Sequence, residues 1–352
     1  MLIGSAVLAM LASMIGLRQI VVFYLPLILS AVWVFAYEII VSKKAIKTAE
    51  STGYLLIASV DMIAALVGYV INVVILSGRY QFKDWTYLSF ARLDLNRLID
   101  TLFGMVVVLG YKEEKISAGS MISNAVAFLV MIMVILSIWY AFKNRSGASR
   151  IYLYYATFVT CAIGVFALVY SLSDMYYWDL YSIPIVACFY PLLILAAKEL
   201  IRNERVRYTI IGIMLTIICL VSVSNYLEYS RQDDTSEYRE IATYLTENGY
   251  TDGYASFWNG NVLTELSNGQ IDVWVWMDGA SDINDMYEWL QVTEHTTEVP
   301  KGRVFALYND DEVYFCPWKD ALSESDLIYK TTGFSVYGYV SYDEMLLKYS
   351  VE

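Results

Sequence analysis

The sequence contains a single histidine, His295, and only four cysteines in 352 residues. A Ser-His-Asp or Cys-His mechanism would depend on that one histidine. It stands in the polar stretch TEHTTE without a neighbouring His or Cys, so we expect a solvated loop histidine. Three cysteines fall in apolar runs, where they act as small apolar side chains. Cys316 is left alone, which predicts neither an intrachain disulfide nor a zinc site in the C-terminal part.

Recognisable catalytic motifs are also lacking. The C-terminal part has no Walker loop, GxGxxG, GxSxG or HExxH sequence, so the common nucleotide, hydrolase and zinc-protease chemistries have no support there. The sequence identifies no cofactor and no metal ligand. A divalent metal ion is an open alternative that no residue pattern supports.

Charged residues are scarce, at 17%, whereas hydrophobic residues reach 58%. Soluble domains average about 25% charged residues, so this composition excludes a disordered chain, a collagen-like chain and an ordinary soluble enzyme. The charges are unevenly placed. Residues 1–226 carry 17 Lys and Arg against 12 Asp and Glu, whereas residues 227–352 carry 7 against 24. We therefore predict a membrane block over 1–226 and an acidic soluble domain over 227–352, whose charge disfavours nucleic acid as a partner.

The membrane block contains seven apolar runs that are candidates for transmembrane helices, each of which needs about 20 residues. The first is short, and the sixth is a marginal candidate. The runs are 2–16, 20–41, 53–76, 120–141, 151–172, 183–200 and 208–226. The predicted fold class is thus a membrane all-α helical bundle of about seven transmembrane helices, followed by a small extracytoplasmic α/β domain.

The basic loops give the orientation. Loops 42–52, 142–150 and 198–207 each carry three or four Lys or Arg, whereas loop 173–182 has none and loop 77–119 is charge-balanced. Because short basic loops stay in the cytoplasm, the C-terminal domain is predicted outside. The predicted location is the bacterial plasma membrane, which the chain would cross several times.

Loop 77–119 predicts an amphipathic helix at about 82–109, with apolar residues at helical spacing. Such a helix would lie on the outer membrane face. Arg79, Arg92 and Arg97 are then candidates for binding lipid phosphate, because guanidinium pairs with phosphate through two hydrogen bonds. The alternative is a solvated helix face anchored by Trp85.

Asp61 lies in the middle of the third apolar run, where a charge should face a cavity or a partner. We predict that it lines a polar cavity, with Arg18 and loop 173–182 at the outer end. Asn72 and Asn124 are predicted to form hydrogen bonds between helices. A transporter is a weaker alternative, because Asp61 is the only clear intramembrane charge and no inverted repeat is visible.

Loop 173–182, SDMYYWDLYS, places two carboxylates among aromatic side chains. Asp174 and Asp179 could accept hydrogen bonds from sugar hydroxyls while a sugar ring stacks on Trp178. Anchoring of the aromatic side chains at the membrane interface explains the same residues equally well.

The acidic domain alternates helical and strand patterns. Helices are predicted at 235–248, 259–269 and 284–291, and strands at 253–257, 271–276, 303–309 and 334–342. This alternation predicts an α/β domain with a mainly parallel sheet. Trp258, Asn259 and Asn261 follow a strand end, where such sheets place ligands. The alternative for the two asparagines is helix capping.

Three stretches resemble the later part of some bacterial GT-C-type membrane glycosyltransferases, similar to the protein mannosyltransferase and aminoarabinose transferase superfamily. They are GLRQIVVFYLPLIL (16–29), YYWDLYSIPIVACFYPLLIL (176–195) and GYASFWNGNVLTELSNGQIDV (253–273). The resemblance implies transfer of a sugar from a polyprenyl-phosphate donor to a cell-envelope acceptor. In that superfamily the catalytic carboxylate typically lies in the first large outer loop.

Here GLRQ joins the first two apolar runs, with no acidic residue and no large loop. No catalytic residue therefore carries over, and the catalytic residue is unknown. Two interpretations follow: a glycosyltransferase or its C-terminal portion, or a non-catalytic membrane-anchored protein whose exported domain binds an envelope ligand or partner. The absence of a basic residue before Arg18 agrees with a chain that begins inside a longer protein, and also with a short first span.

Overall fold

The computed structural model describes residues 2–43, 50–77, 79, 92–113, 118–173, 175, 177–231, 233, 235–276, 286, 292–315 and 319–349. The chain divides into two compact units, Met1–Tyr229 and Ser230–Glu352. This division lies three residues from the predicted boundary at residue 226.

The first unit is helical. Its α-helices are α1 (Leu2–Ser13), α2 (Leu25–Ala36), α3 (Ser51–Ile71), α4 (Leu95–Val108), α5 (Ala118–Lys143), α6 (Arg150–Ser171), α7 (Ile183–Ala187), α8 (Phe189–Leu200) and α9 (Glu204–Tyr229). Short π-helices at Ile20–Tyr24, Tyr37–Val41 and Asn72–Leu76 extend α2 and α3, and a 3-10 turn at Asp179–Ser182 precedes α7.

Six helices among the described residues are long and apolar enough to cross a membrane. They are Ile20–Val41, Ser51–Leu76, Gly119–Lys143, Arg150–Ser171, Asp179–Leu200 and Glu204–Leu227. The first predicted span is a helix of only 12 residues, about 18 Å long at ~1.5 Å per residue. That is short of the ~30 Å hydrocarbon core, so the described helices support six spans, and the seventh stays a prediction.

The core of the membrane unit is built around α6, which contacts α2, α4, α5 and α8. Large side chains of α6 such as Tyr152 and Phe166 are fully buried. The Tyr152 hydroxyl donates a hydrogen bond of 2.6 Å to the Ser137 carbonyl of α5. The tyrosine ring is therefore buried while its hydroxyl, the one polar group, keeps a hydrogen-bond partner.

Helices α1 and α3 approach each other closely. The buried face of α3 carries small residues at Ala58, Ala65 and Gly68, with Asp61 among them. A Cβ atom on Gly68 would overlap the Met10 carbonyl of α1, so glycine is what permits this approach. The Asn72 amide donates a 2.5 Å hydrogen bond to Met14 O at the end of α1, which agrees with its predicted interhelical role.

Helix α4 begins later than predicted. Residues 92–94 are not helical, and Asp94 is extended at φ −103°, ψ 113° while its carboxylate caps the first turn. The part of the predicted helix at 82–91, with Trp85, lies outside the described residues. Asn124, predicted to bond between helices, instead accepts from Lys112 N and donates to Lys112 O in the segment after α4.

The second unit contains a five-stranded sheet. Its strands are β1 (Asp252–Ser256), β2 (Asp272–Trp276), β3 (Val304–Asn309), β4 (Leu327–Lys330) and β5 (Phe334–Tyr339), in the order β2-β1-β3-β5-β4. Strands β2, β1 and β3 are parallel, whereas β5 is antiparallel to both β3 and β4. The sheet is therefore mixed rather than mainly parallel, because β4 and β5 form an antiparallel hairpin. Strand β4 was not predicted.

Each face of the sheet has its own core. Helices α10 (Ser236–Glu247) and α11 (Phe257–Leu266) cover an aliphatic face that includes Val273, Leu307 and Val336. The other face is aromatic and packs against α13 (Tyr342–Tyr349). Helices α12 (Asp310–Phe315) and α13 were not predicted. The helix predicted at 284–291 lies outside the described residues, except Met286, which forms a bridge with Trp276.

Candidate functional site

Helix α4 is tied to loop 173–182 in the membrane unit. The Asp94 carboxylate accepts hydrogen bonds from Asn96 N at 2.8 Å and Arg97 N at 3.4 Å, which stabilises the helix start. The Arg97 guanidinium donates to the carbonyls of Ser173 and Met175. Arg97, a predicted phosphate ligand, therefore uses its donors to hold the loop.

A second set of contacts continues this attachment along α4. The Tyr177 hydroxyl donates a 3.3 Å hydrogen bond to Thr101 O. Burial raises the pKa of Tyr177, and the neighbouring Asp179 carboxylate raises it further. A Cβ atom on Gly104 would overlap both Tyr177 and Asp179. Glycine at position 104 thus makes the room in which the predicted sugar ligand Asp179 packs against α4.

Arg18 reaches the same loop from the segment between α1 and α2. Its guanidinium carbon lies 3.9 Å from the centre of the Tyr181 ring, in cation–π geometry. Trp178 is 50% exposed and meets Tyr181 edge to face. The structure therefore brings together Arg18, Arg97, Trp178 and Asp179, which the sequence had named from three separate segments.

Two other predicted residues, Arg79 and Arg92, are exposed. Arg92 is exposed just before α4, and Arg79 is exposed in the turn after α3. The Arg79 amide donates to Leu76 O at 2.9 Å. Asp174 lies outside the described residues.

Asp61 lines a cavity of about 400 Å³ between α1, α2, α3 and α6. The residue is 6% exposed, and among the described residues its Oδ1 has no hydrogen-bond partner. It lies about 15 Å along α3 from Ser51, and a charge at that depth costs ~2.5–3.5 kcal/mol on insertion scales. The cavity is otherwise lined by aromatic and aliphatic side chains with three tyrosines and one serine.

A second intramembrane carboxylate was missed in the sequence. Glu38 is fully buried, and its Oε1 lies 3.0 Å from Arg150 Nε. Its Oε2 accepts hydrogen bonds from Ser51 N at 2.9 Å and Ser51 Oγ at 2.5 Å. The sequence signal for this ion pair was a single glutamate, Glu38, near the end of one apolar run, together with Arg150 at the start of another. Asp61 is therefore not the only charge within the spans.

The C-terminal unit has a polar cluster at the carboxyl ends of β1 and β3. Asn259 is 3% exposed, and its amide nitrogen donates to Ser256 Oγ and to both oxygens of Glu312, each at 2.9 Å. Its Oδ1 accepts from the Tyr238 hydroxyl at 2.6 Å. Burial raises the pKa of Tyr238, and the Glu312 carboxylate raises it further. Asn259 therefore links three elements instead of capping a helix, as one alternative had it.

Trp258 lies next to this cluster and is 71% exposed. From β1 the chain continues to β2, which pairs with one edge of β1. The next parallel strand, β3, pairs with the other edge of β1. Open α/β sheets bind ligands outside the carboxyl ends of strands where the strand order reverses. Trp258 thus stands at the position in the sheet that the sequence indicated.

The prediction of a solvated His295 is wrong. The side chain is buried and stacks on Trp274 with 4.1 Å between ring centres. Its Nε2 lies 2.9 Å from Asp272 Oδ2. The short 3-10 helix Thr293–Thr296 folds onto β2, and Trp274 Nε1 donates to Glu298 O at 3.1 Å. The polar sequence around His295 concealed this aromatic contact.

In the part of the chain that the structure describes, no group of three or more His, Cys, Asp and Glu could hold a metal ion. The chain matches no protein-family model, no curated protein and no solved structure. Its class therefore rests on the fold: a chain with six helices suited to crossing a membrane and a C-terminal sheet unit.

Proposed function

We propose that the protein is a membrane glycosyltransferase, or the C-terminal portion of one. It would transfer a sugar from a polyprenyl-phosphate donor to an acceptor in the cell envelope. The supporting observation is the meeting of α4, loop 173–182 and Arg18, three segments far apart in the sequence. Charged, aromatic and carboxylate side chains converge there, as recognition of a lipid-linked sugar requires.

The geometry divides the roles within this assembly. Arg97 positions the loop through backbone carbonyls, so phosphate binding falls to the exposed Arg92 and Arg79. Trp178, half exposed, would stack on the sugar, and Asp179 would accept a hydroxyl hydrogen bond. Arg18 would hold the loop from the other side through its contact with Tyr181.

The proposal includes a membrane topology. The short helix α1 would be a seventh span, with the basic loops in the cytoplasm. The exported unit would then lie outside the bacterial plasma membrane, near its acceptor.

The test is a transfer assay with the full chain in proteoliposomes and a radiolabelled polyprenyl-phosphate sugar. We expect Arg92→Gln to lower transfer at least about tenfold, since a lost charge-assisted hydrogen bond costs about 1.5–3 kcal/mol. Trp178→Ala removes the ring proposed to stack on the sugar and should lower transfer as well. Lys143→Gln, in a loop predicted on the opposite side, is the matched control and should keep the wild-type rate. A parallel arm with a chelator tests the open question of a divalent metal. Absence of transfer by the wild type under every donor would refute the proposal for this chain.

A second function is favoured by Trp258. An exposed indole beside the Asn259–Glu312 cluster suits a non-catalytic role in which the exported unit binds an envelope ligand. Binding of the full chain to neutral oligosaccharides should then weaken in Trp258→Ala. Leu347→Ala, equally exposed on α13, should leave binding unchanged. Equal binding by both variants would count against this role.

A further inference from the structure

The cavity around Asp61 combines one carboxylate with four aromatic rings. It is lined by Ser5 and Leu8 from α1, by Phe23, Tyr24 and Leu27 from the start of α2, by Tyr54, Ile57 and Asp61 from α3, and by Tyr154 from α6. Tyr54 and Tyr154 stack in parallel with 4.8 Å between ring centres. Its volume of about 400 Å³ lies within the range of small-molecule sites.

The carboxylate lacks a positive partner within this cavity. None of the lining residues is Lys or Arg. Asp61 is 94% buried, and its Oδ1 has no hydrogen-bond partner among the described residues. Glu38 in the same unit shows the usual solution, an arginine and a serine that satisfy the buried carboxylate. Asp61 therefore holds a position at which a positive charge from outside the chain would be stabilised.

The surroundings decide which kind of cation fits. Divalent metal ions take several oxygen, nitrogen or sulfur ligands, and the cavity offers a single carboxylate and no His or Cys. Aromatic faces around one anion are the surroundings that bind alkylammonium groups, through cation–π contacts. Leu8, Leu27 and Ile57 supply apolar surface for the carbon substituents of such an ion.

The cavity wall is also well supported. Gly68 lets α3 contact the backbone of α1, and Asn72 joins the ends of the two helices. The rings and the carboxylate are therefore held in place by packing that does not depend on a ligand, which lowers the entropy cost of binding.

We propose that this cavity binds a compact organic ammonium ion, with Asp61 as its counter-ion and the rings of Phe23, Tyr24, Tyr54 and Tyr154 around it. The site is separate from the loop 173–182 assembly and does not rest on the glycosyltransferase proposal.

The experiment uses the full chain in nanodiscs of zwitterionic lipid and isothermal titration calorimetry. The probe is benzyltrimethylammonium, and its uncharged carbon isostere is the ligand control. We expect the wild type to bind the ammonium probe and Asp61→Asn to weaken binding at least about tenfold. In free energy, a tenfold loss is small compared with the coupling of a buried charge pair. Asp61→Glu, which keeps the charge, should retain most of the affinity.

Three further variants separate binding by the aromatic rings from a nonspecific effect of charge. Tyr54→Leu removes a ring and should weaken binding several-fold, whereas Tyr54→Phe keeps the ring and should bind like the wild type. Asp100→Asn makes the same chemical change on an exposed face of α4 and should have no effect.

Three results would overturn the proposal. One is equal affinity for the ammonium probe and its uncharged isostere. Another is unchanged binding in Asp61→Asn, with the variant shown to be folded by circular dichroism. The third is complete displacement of the probe by sodium ions at equal concentration, which would assign the site to an inorganic cation.

Discussion

Glu38 shows how this membrane unit stabilises a buried charge. The carboxylate accepts from Ser51 and faces Arg150, whose side chain is itself only 12% exposed. Ser51 starts α3 and Arg150 starts α6, so one carboxylate joins the ends of three membrane helices. The Glu38–Arg150 pair therefore links separate helices and is not a contact between neighbours in the chain.

We predict that Arg150→Gln destabilises the membrane unit by about 3–5 kcal/mol, because it removes the guanidinium that lies 3.0 Å from the buried Glu38 carboxylate. Unfolding by denaturant in detergent micelles measures this loss. Arg207→Gln is the control: its partner Glu204 is 77% exposed, and exposed pairs contribute about 0–1 kcal/mol. Equal effects of the two substitutions would contradict the assigned role of Glu38.

Gly104→Ala should destabilise the unit by about 1–3 kcal/mol, the usual cost of overpacking. Its new Cβ atom would overlap Tyr177 and Asp179, which forces loop 173–182 away from α4. Thermal unfolding in detergent gives the magnitude. Gly164→Ala in α6 is the matched control, since no atom lies within 4 Å of its Cβ position and alanine favours helix. A stabilising Gly104→Ala would show that α4 and the loop separate readily.

At the scale of elements, the sheet of the C-terminal unit is asymmetric in composition. One face is aliphatic, and the other carries Tyr254, Trp276 and Tyr308 in a row of stacked rings with centres 4.9 to 5.9 Å apart. Tyr339 and Tyr349 join β5 to α13 through hydroxyls 2.9 Å apart. This face depends on tyrosines that stay neutral.

Burial raises the pKa of Tyr254, Tyr339 and Tyr349 above the ordinary value of 10.0. A group with a raised pKa contributes stability below its unfolded pKa and loses it as the pH rises towards the folded pKa. Lys348, whose pKa is raised by its hydrogen bond to Asp326, acts in the same direction. The C-terminal unit should therefore be stable at neutral pH and unfold progressively above about pH 10.

Near-ultraviolet circular dichroism of the full chain against pH checks this expectation. Tyr339→Phe keeps the ring and removes the ionisable hydroxyl, so the decline in stability with pH should become shallower. Tyr226→Phe in the exposed part of α9 should leave the slope unchanged. A signal that stays constant well above pH 11 would refute the role of these tyrosines.

At the scale of the whole molecule, two units of opposite character share one chain. The membrane unit exposes many large apolar side chains, and the most apolar stretch of α9 has 0% of its residues buried within the fold. Such surfaces need lipid around them. The acidic unit instead buries two apolar cores.

Labelling of single cysteines tests the predicted orientation. In a chain with its four cysteines replaced by serine, Lys330→Cys in the C-terminal unit should react with a membrane-impermeant maleimide on intact cells. Ser146→Cys in the basic loop 142–150 should react only after permeabilisation, because positive loops stay inside. The reverse pattern would invert the topology and remove the basis for an extracytoplasmic acceptor.

Local patterns determined much of the architecture. Hydropathy and charge alone separated the two units, and alternation placed β1, β2 and β3 within a residue or two. They did not show β4, because a short strand in a hairpin carries too few residues for a clear period. The start of α4 was misplaced because the apolar spacing does not report that Asp94 turns the backbone and caps the helix.

The sequence by itself determined where apolar and acidic residues concentrate, because those properties belong to each residue in its local run. Only the tertiary structure decided which side chains meet. Arg97 donates to backbone carbonyls, and His295 is buried against Trp274. Glu38 pairs with Arg150, and Asp61 lines an aromatic cavity. These outcomes depend on contacts between residues far apart in the chain, and side-chain partners at such distances are fixed by packing rather than by any local pattern.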